Sequence, residues 1–392
     1  MPDVVVVGAG ISGAATAYEL ALSGVSVVLL DRWGPAAMAS GWTLAGVRQS
    51  GRHPAELPLA QAAVADWEHL SAKLDAPTHY IQGGNLRLAC TPAHLSQLAA
   101  MVAEQNAAGL ALTLLDQAGL RERAPAVSPE VLGASFCPTD GHADPHATVA
   151  AFVAAAERAG AMLRFGEQAL AIEQEDGRVV AVRTDKGRIP CGTAVLATGV
   201  MGNALLAPLG LNVPMVPGAV TLLRTAPGPR VLDQVIGVAD ASCAGRQERD
   251  GRFRFTGAAE PFPQPLAFAQ GDAPGKHHPG PTLRPRVGDV AHVAALFGAL
   301  VPAALEAALD ECWVGLIDST PDALPVIERS EQVRGLVLGM GFSGHGFCLG
   351  PVTGRILSEL ARNETPNLPI APFALGRFAG VVGATAPLTL HG

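Results

Sequence analysis

The apolar pattern opens with Val4-Val5-Val6-Val7, an unbroken run that suits a strand buried on both faces. Residues 14–22 follow with helical spacing, Gly24 supplies a C-terminal cap, and 25–30 forms a second apolar run ending on Asp31. Strand, glycine turn, helix and strand make a βαβ unit of about 30 residues. The pattern then stops: residues 36–51 read as a glycine- and serine-containing loop with no third strand. Downstream, 146–160 predicts an amphipathic helix and 161–165 a strand after it. Residues 169–173, 178–184 and 188–196 predict successive strands of the parallel sheet, with Gly177 and Gly187 at turns. Near the end, 335–338 predicts a last strand and 348–362 a helix.

Two intervening stretches follow another rhythm. Residues 52–140 hold predicted helices at 60–74 and 92–108 and a strand at 85–89. Residues 212–322 alternate as strands at 213–225, 234–238, 252–257 and 312–317. A Gly/Pro-rich excursion at 261–285, a candidate lid or partner surface, leads into two helices. The expected class is α/β with α+β insertions. A discontinuous Rossmann domain (1–51, 141–211, 323–365) carries a second domain (52–140, 212–322) of mixed or antiparallel sheet plus helices, and 366–392 forms a tail.

Composition narrows the function classes. Apolar residues make up 49% of the chain, too many for a disordered protein. With 27 basic against 35 acidic residues the net charge is −8, and no Lys/Arg block offers a nucleic-acid surface. The 45 glycines lack a collagen period. Six scattered cysteines without a C-x-x-C pair or Cys/His cluster argue against a metal site or disulfide framework and for buried free thiols. No basic leader precedes Val4 and no run reaches the ~18 apolar residues of a membrane span, so the expectation is a cytoplasmic chain, with peripheral membrane contact left open.

The chemistry begins at Gly8-x-Gly10-x-x-Gly13. Gly8 permits the turn, Gly10 lets a pyrophosphate approach the backbone, and Gly13 lets helix and strand pack closely. The helix N-terminus offers free N–H groups to phosphate, and Asp31 can accept a ribose hydroxyl. Ala197-Thr198-Gly199 is a second strand-end turn, and the glycines of Gly339-Met340-Gly341-Phe342-Ser343-Gly344-His345-Gly346-Phe347 form a third backbone nest before a helix.

These motifs, in this order, resemble the D-amino-acid oxidase superfamily, within the glutathione-reductase-like flavoproteins, over nearly the whole chain to about residue 365. The resemblance implies non-covalent FAD held by Gly8, Gly10, Ile11, Ser12, Gly13, Asp31, Arg32, Ser40, Gly46, Val47, Ala169, Ala197, Thr198 and Gly199, and by Gly341, Phe342, Gly344, His345, Gly346 and Phe347. Single-chain oxidases of this group show Trp-x-Gly-x-Arg-Pro before Thr-Pro-Asp, the arginine binding the substrate carboxylate. Here Trp313-Val314-Gly315-Leu316-Ile317-Asp318 precedes Thr320-Pro321-Asp322, and Ile317 cannot clamp a carboxylate.

Gly46-Val47-Arg48-Gln49, 51–59 and Gln82-Gly83-Gly84-Asn85-Leu86 look closer to D-hydroxyproline dehydrogenases, or to flavin subunits of heteromeric sarcosine oxidases and opine dehydrogenases. The implied reaction is oxidation of a secondary or cyclic amino acid, of the D-proline or cis-4-hydroxy-D-proline type, by hydride transfer to flavin N5. A glycine- or sarcosine-type oxidase using O2, or a subunit of a hetero-oligomeric dehydrogenase, stand as alternatives. The electron acceptor (O2, a quinone or a partner subunit) and a homo- or hetero-oligomeric state stay open. Candidate catalytic residues are Arg48 and His345; candidate substrate contacts are Arg48, His53, Arg254, Ile317 and His345. Arg48 reads equally as a cation near flavin or carboxylate and as a surface or FAD-phosphate arginine. Cys312 sits too far from Thr320-Pro321-Asp322 to match covalent flavin attachment.

Overall fold

The computed structural model describes residues 1–262, 274–275, 278–281 and 283–380. Most of the 261–285 excursion, with His277, therefore lies outside the described residues. A six-stranded sheet runs in the order Val326–Arg329, Leu336–Met340, Thr193–Leu196, Val4–Val7, Val27–Asp31, Met162–Phe165. All neighbours pair in parallel except the first two. Alternation explains the continuous apolar runs. Val4, Val6, Val27 and Leu29 face one core with the helices Ile11–Leu22, Pro145–Arg158 and Gly346–Ala361. Val5, Val7, Val28 and Leu30 face a second core on the other side.

That second core corrects the sequence reading. Ala169–Glu175, Arg178–Thr184 and Gly187–Pro190 form a separate antiparallel sheet that covers the parallel one. The predicted 188–196 strand breaks at Cys191-Gly192, and only Thr193–Leu196 joins the parallel sheet. The turns at Gly177 and Gly187 are too short for the crossovers that parallel strands need, so these strands fold back on their neighbours. The supposed loop 36–51 also carries a short helix, Ala39–Trp42, and a strand, Gly46–Val47, paired with Gly141–His142.

A nine-stranded mixed sheet arches over the other end. Its path runs Glu260–Pro261, Val216–Thr225, Phe253–Gly257, Cys243–Gln247, Val235–Val238, Asn85–Ala89, Gly133–Cys137, Thr113–Asp116, with Leu309–Ser319 paired to the free edge of Val216–Thr225. The helix Val287–Leu300 covers one face, where Phe297 stacks on Phe255 at 4.6 Å. Only a short 3-10 turn, Pro302–Ala304, follows it where a second helix was expected. Two further expectations change. Cys90 and Cys312 are exposed, so four of the six thiols are buried. The tail is not wholly detached, since Phe373 is fully buried in the helix-side core.

Candidate active site

Gly8 and Gly13 make the first turn through contact rather than general flexibility. A Cβ at Gly13 would lie 1.8 Å from the Gly8 carbonyl oxygen, and Gly8 itself has φ +105°. The helix Ile11–Leu22 thereby starts flush against the end of the first strand. Gly10 is its N-cap without a side-chain capping bond, and the Ile11 N–H donates to Ser40 Oγ at 3.0 Å. Asp31 accepts the amides of Ala9, Trp33 and Gly34, each at 2.8 Å. Burial raises its carboxyl pKa against those three donors.

Two cavities of about 220 and 260 Å³ meet at this turn, and Gly10, Ser40, Ala197, Gly199, Leu316 and Asp318 line both. The second cavity runs past Gly8, Asp31, Arg32, Ala169 and Thr198. The first runs past Ile11, Ser12, Gly46, Arg48 and Ile317 to the loop bearing Phe342, Gly344, His345, Gly346 and Phe347. Thr198 Oγ1 and His345 Nε2, both buried, have no hydrogen-bond partner among the described residues. A glycine cradle, an acidic acceptor at the second strand end, an open helix N-terminus and two joined cavities fit an elongated dinucleotide such as FAD.

Other predicted residues stand outside these walls. His53 is exposed, with its ring nitrogen accepting the Ala55 N–H at 3.1 Å. Arg254 is buried but committed elsewhere: it donates to the Gly41 carbonyl at 2.9 Å, pairs with Glu248 at 3.4 Å and lies over the Trp313 ring. With Arg246, which donates to the Leu44 carbonyl, it fastens loop 41–44 to the nine-stranded sheet. Gly13 and Val47 sit behind the cavity surface. Gly341 does too, its N–H turned to Asp318 Oδ2 at 2.8 Å. Cys312 is exposed and lines neither cavity.

The structure adds groups that the sequence reading passed over. Arg52, Asn85 and Arg87 line the first cavity, Glu167 the second, and Asp318 both. Glu56 is fully buried beneath the loop, 3.0 Å from His345 Nδ1 and 3.4 Å from Arg52 Nη1. Burial and the neighbouring Arg52 hold His345 neutral, its pKa lowered to about 4, while Glu56 stays ionised. The i,i+4 spacing of Arg52 and Glu56 was a readable signal, as was a lone arginine inside the apolar strand Asn85–Ala89.

Asp318 carries a pH expectation. Burial raises its pKa from 3.8 to about 6, against the Gly341 and Phe342 amides. A raised carboxyl pKa gives stability that is full below 3.8 and lost as pH climbs through 6, up to about 3 kcal/mol. Relative to the parent protein, Asp318→Asn should therefore be more stable at pH 8 than at pH 5. Paired urea titrations at the two pH values check this, and an unchanged difference would refute it.

Among the described residues no helix is long and apolar enough to cross a membrane, and no His/Cys/Asp/Glu group could hold a metal ion. The chain is 26% identical to a D-amino acid dehydrogenase of Cereibacter sphaeroides, over 96% of this chain and 95% of the relative. It is 26% identical to the 4-methylaminobutanoate oxidase (formaldehyde-forming) of Paenarthrobacter nicotinovorans, of whose length it spans 45%. The L-proline dehydrogenase structure from P. horikoshii superposes with a TM-score of 0.85 at 26% identity, covering 96% of this chain and 98% of that one. The FAD dependent oxidoreductase (DAO) family matches residues 3–360, and with the cofactor cradle in place the chain belongs to that family as an FAD-dependent amine or amino-acid oxidoreductase.

Proposed function

We propose that this protein oxidises a secondary or cyclic amino acid, of the D-proline or cis-4-hydroxy-D-proline type, to the corresponding imine. The observation that carries the reading is the wall at Ile317. It is aliphatic where the oxidases that the sequence resembles place an arginine, and Trp42, Val220 and Leu222, which belong to the apolar cluster it packs against, line the same cavity. Such a wall suits an apolar ring and keeps water from the reacting carbon.

FAD, when bound, supplies the two-electron acceptor for the hydride that leaves the α-carbon. Gly8, Gly10 and the first turn of Ile11–Leu22 would hold its pyrophosphate, and Asp31 its ribose. The loop Phe342–Phe347 would hold the flavin ring. Arg48, 7% exposed and donating to the Ser50 carbonyl, places a cation on the cavity wall. The substrate nitrogen reacts as the free amine: its lone pair forms the C=N bond as the α-hydrogen leaves, and its proton passes to solvent. The chain has to orient the substrate and exclude water rather than supply a strong base.

The test is anaerobic. The flavin-loaded protein is mixed with D- and L-proline, the hydroxyprolines, sarcosine, glycine and opines, and the visible flavin absorbance is followed. Bleaching by a cyclic D-amino acid, with weaker response to glycine, is the expected result. A protein reduced by glycine or opines but by no cyclic amino acid would overturn it.

A further inference from the structure

We propose that Arg87 is the substrate-carboxylate anchor, a role moved from the strand that carries Ile317 to one across the same cavity. The inference rests on the amino-acid reading given above and adds where the acid group binds. Alternation along Asn85–Ala89 sends Leu86 and Leu88 into an apolar core, while Asn85 and Arg87 line the cavity. Four strands of the nine-stranded sheet, starting at Val216–Thr225, separate Asn85–Ala89 from Leu309–Ser319. Arg87 and Ile317 therefore stand at opposite ends of one roof.

Arg87 is only 9% exposed, yet the one hydrogen bond of its side chain among the described residues is a 3.7 Å contact from Nη1 to the sulfur of Met101. No carboxylate of the described residues lies within ion-pair distance of it. Asp140, an acid whose charge acts on it, is occupied by the Gln49 amide at 2.8 Å and by the Ser50 hydroxyl. Arg52 has Glu56 at 3.4 Å. Of the three arginines on this cavity, Arg48 donates to the Ser50 carbonyl and Arg52 pairs with Glu56, whereas Arg87 has neither a carboxylate nor a carbonyl partner for its guanidinium among the described residues. A buried guanidinium without an anion is costly unless a ligand completes it.

Its seat is also shaped. A Cβ on Gly51 would come within 2.5 Å of Arg87 Nη2, so the guanidinium rests directly on that glycine. Gln105 holds the glycine in place, accepting its N–H at 2.8 Å and donating to the Arg52 carbonyl at 3.4 Å. The fork is thereby fixed, as two-point binding of a carboxylate requires. Asn85, two residues away on the same face, makes no side-chain hydrogen bond among the described residues and offers its amide to a second polar group of the same ligand.

The test uses the flavin-loaded protein and two probes, pyrrole-2-carboxylate and its neutral amide, read as perturbations of the flavin spectrum. The wild type should prefer the carboxylate. Arg87→Met should lose that preference, weakening carboxylate binding by about ten- to a hundredfold, with Arg87→Lys recovering part of it. With an amino-acid substrate, KM should rise by more than kcat falls. Equal carboxylate binding by wild type and Arg87→Met overturns the anchor. So does a loss of flavin from both variants, which would make Arg87 structural. If the carboxylate preference depends on Arg87 but no cyclic amino acid reduces the flavin, the anchor stands and the proposed reaction fails. If cyclic amino acids reduce wild type and Arg87→Met with the same KM, the reaction stands and the anchor fails.

Discussion

Gly13→Ala is expected to purify colourless, with FAD affinity down by about a hundredfold or more. The new methyl would sit 1.8 Å from the Gly8 carbonyl oxygen, which is backbone and cannot swing aside. Relief requires the helix Ile11–Leu22 to lift off the strand Val4–Val7, moving the N–H groups that face the pyrophosphate. Overpacking of this kind costs at least about 1–3 kcal/mol, and each ~1.4 kcal/mol is a factor of ten in affinity. Gly288→Ala is the matched control: its Cβ would meet nothing within 4 Å, and Gly288, on the helix Val287–Leu300, lines neither cavity. Flavin-to-protein ratio, with circular dichroism to verify folding, measures both. Full flavin content in a folded Gly13→Ala protein would refute this account of the turn.

Glu56→Gln should cost about 3–5 kcal/mol of stability, because it strips the carboxylate from a fully buried site that Arg52 and His345 share. The amide keeps the size and one acceptor oxygen but leaves the Arg52 charge uncompensated. Urea unfolding should show the loss, and a change below ~1 kcal/mol would exclude Glu56 as the brace of the flavin loop. The same site predicts acid sensitivity in the parent protein. In the fold His345 resists protonation to a pKa of about 4, whereas the unfolded chain takes the proton near 6.5. Stability should therefore fall as pH drops from 6.5 to 4, and Glu56, held at about 2, extends the loss below 4.5. His345→Asn should flatten the first part of that profile.

The cofactor half of the cleft was legible because its parts are local. Gly8, Gly10, Gly13 and Asp31 lie within one βαβ unit, where strand pattern, turn chemistry and helix start constrain one another over a few residues. Local pattern failed at 169–196, where apolar periodicity showed strands but not partners. Whether Ala169–Glu175 joins the parallel sheet or doubles back depends on turn length and on what already covers that sheet face.

The substrate wall was less legible. Sequence pointed to the missing arginine at Ile317 and offered His53 and Arg254 as candidates; the fold turns one to solvent and commits the other to Gly41 and Glu248. It brings Arg52, Arg87 and Asp318 to the cavity instead, and seats Glu56 under His345 across 289 residues of chain. By itself, then, the sequence determined the family, the cofactor and the strands and helices that hold it, because short-range periodicity and glycine geometry encode them. Which charges face the substrate was decided only by tertiary structure, because a side chain's facing and its partners are properties of packing between elements far apart in the chain.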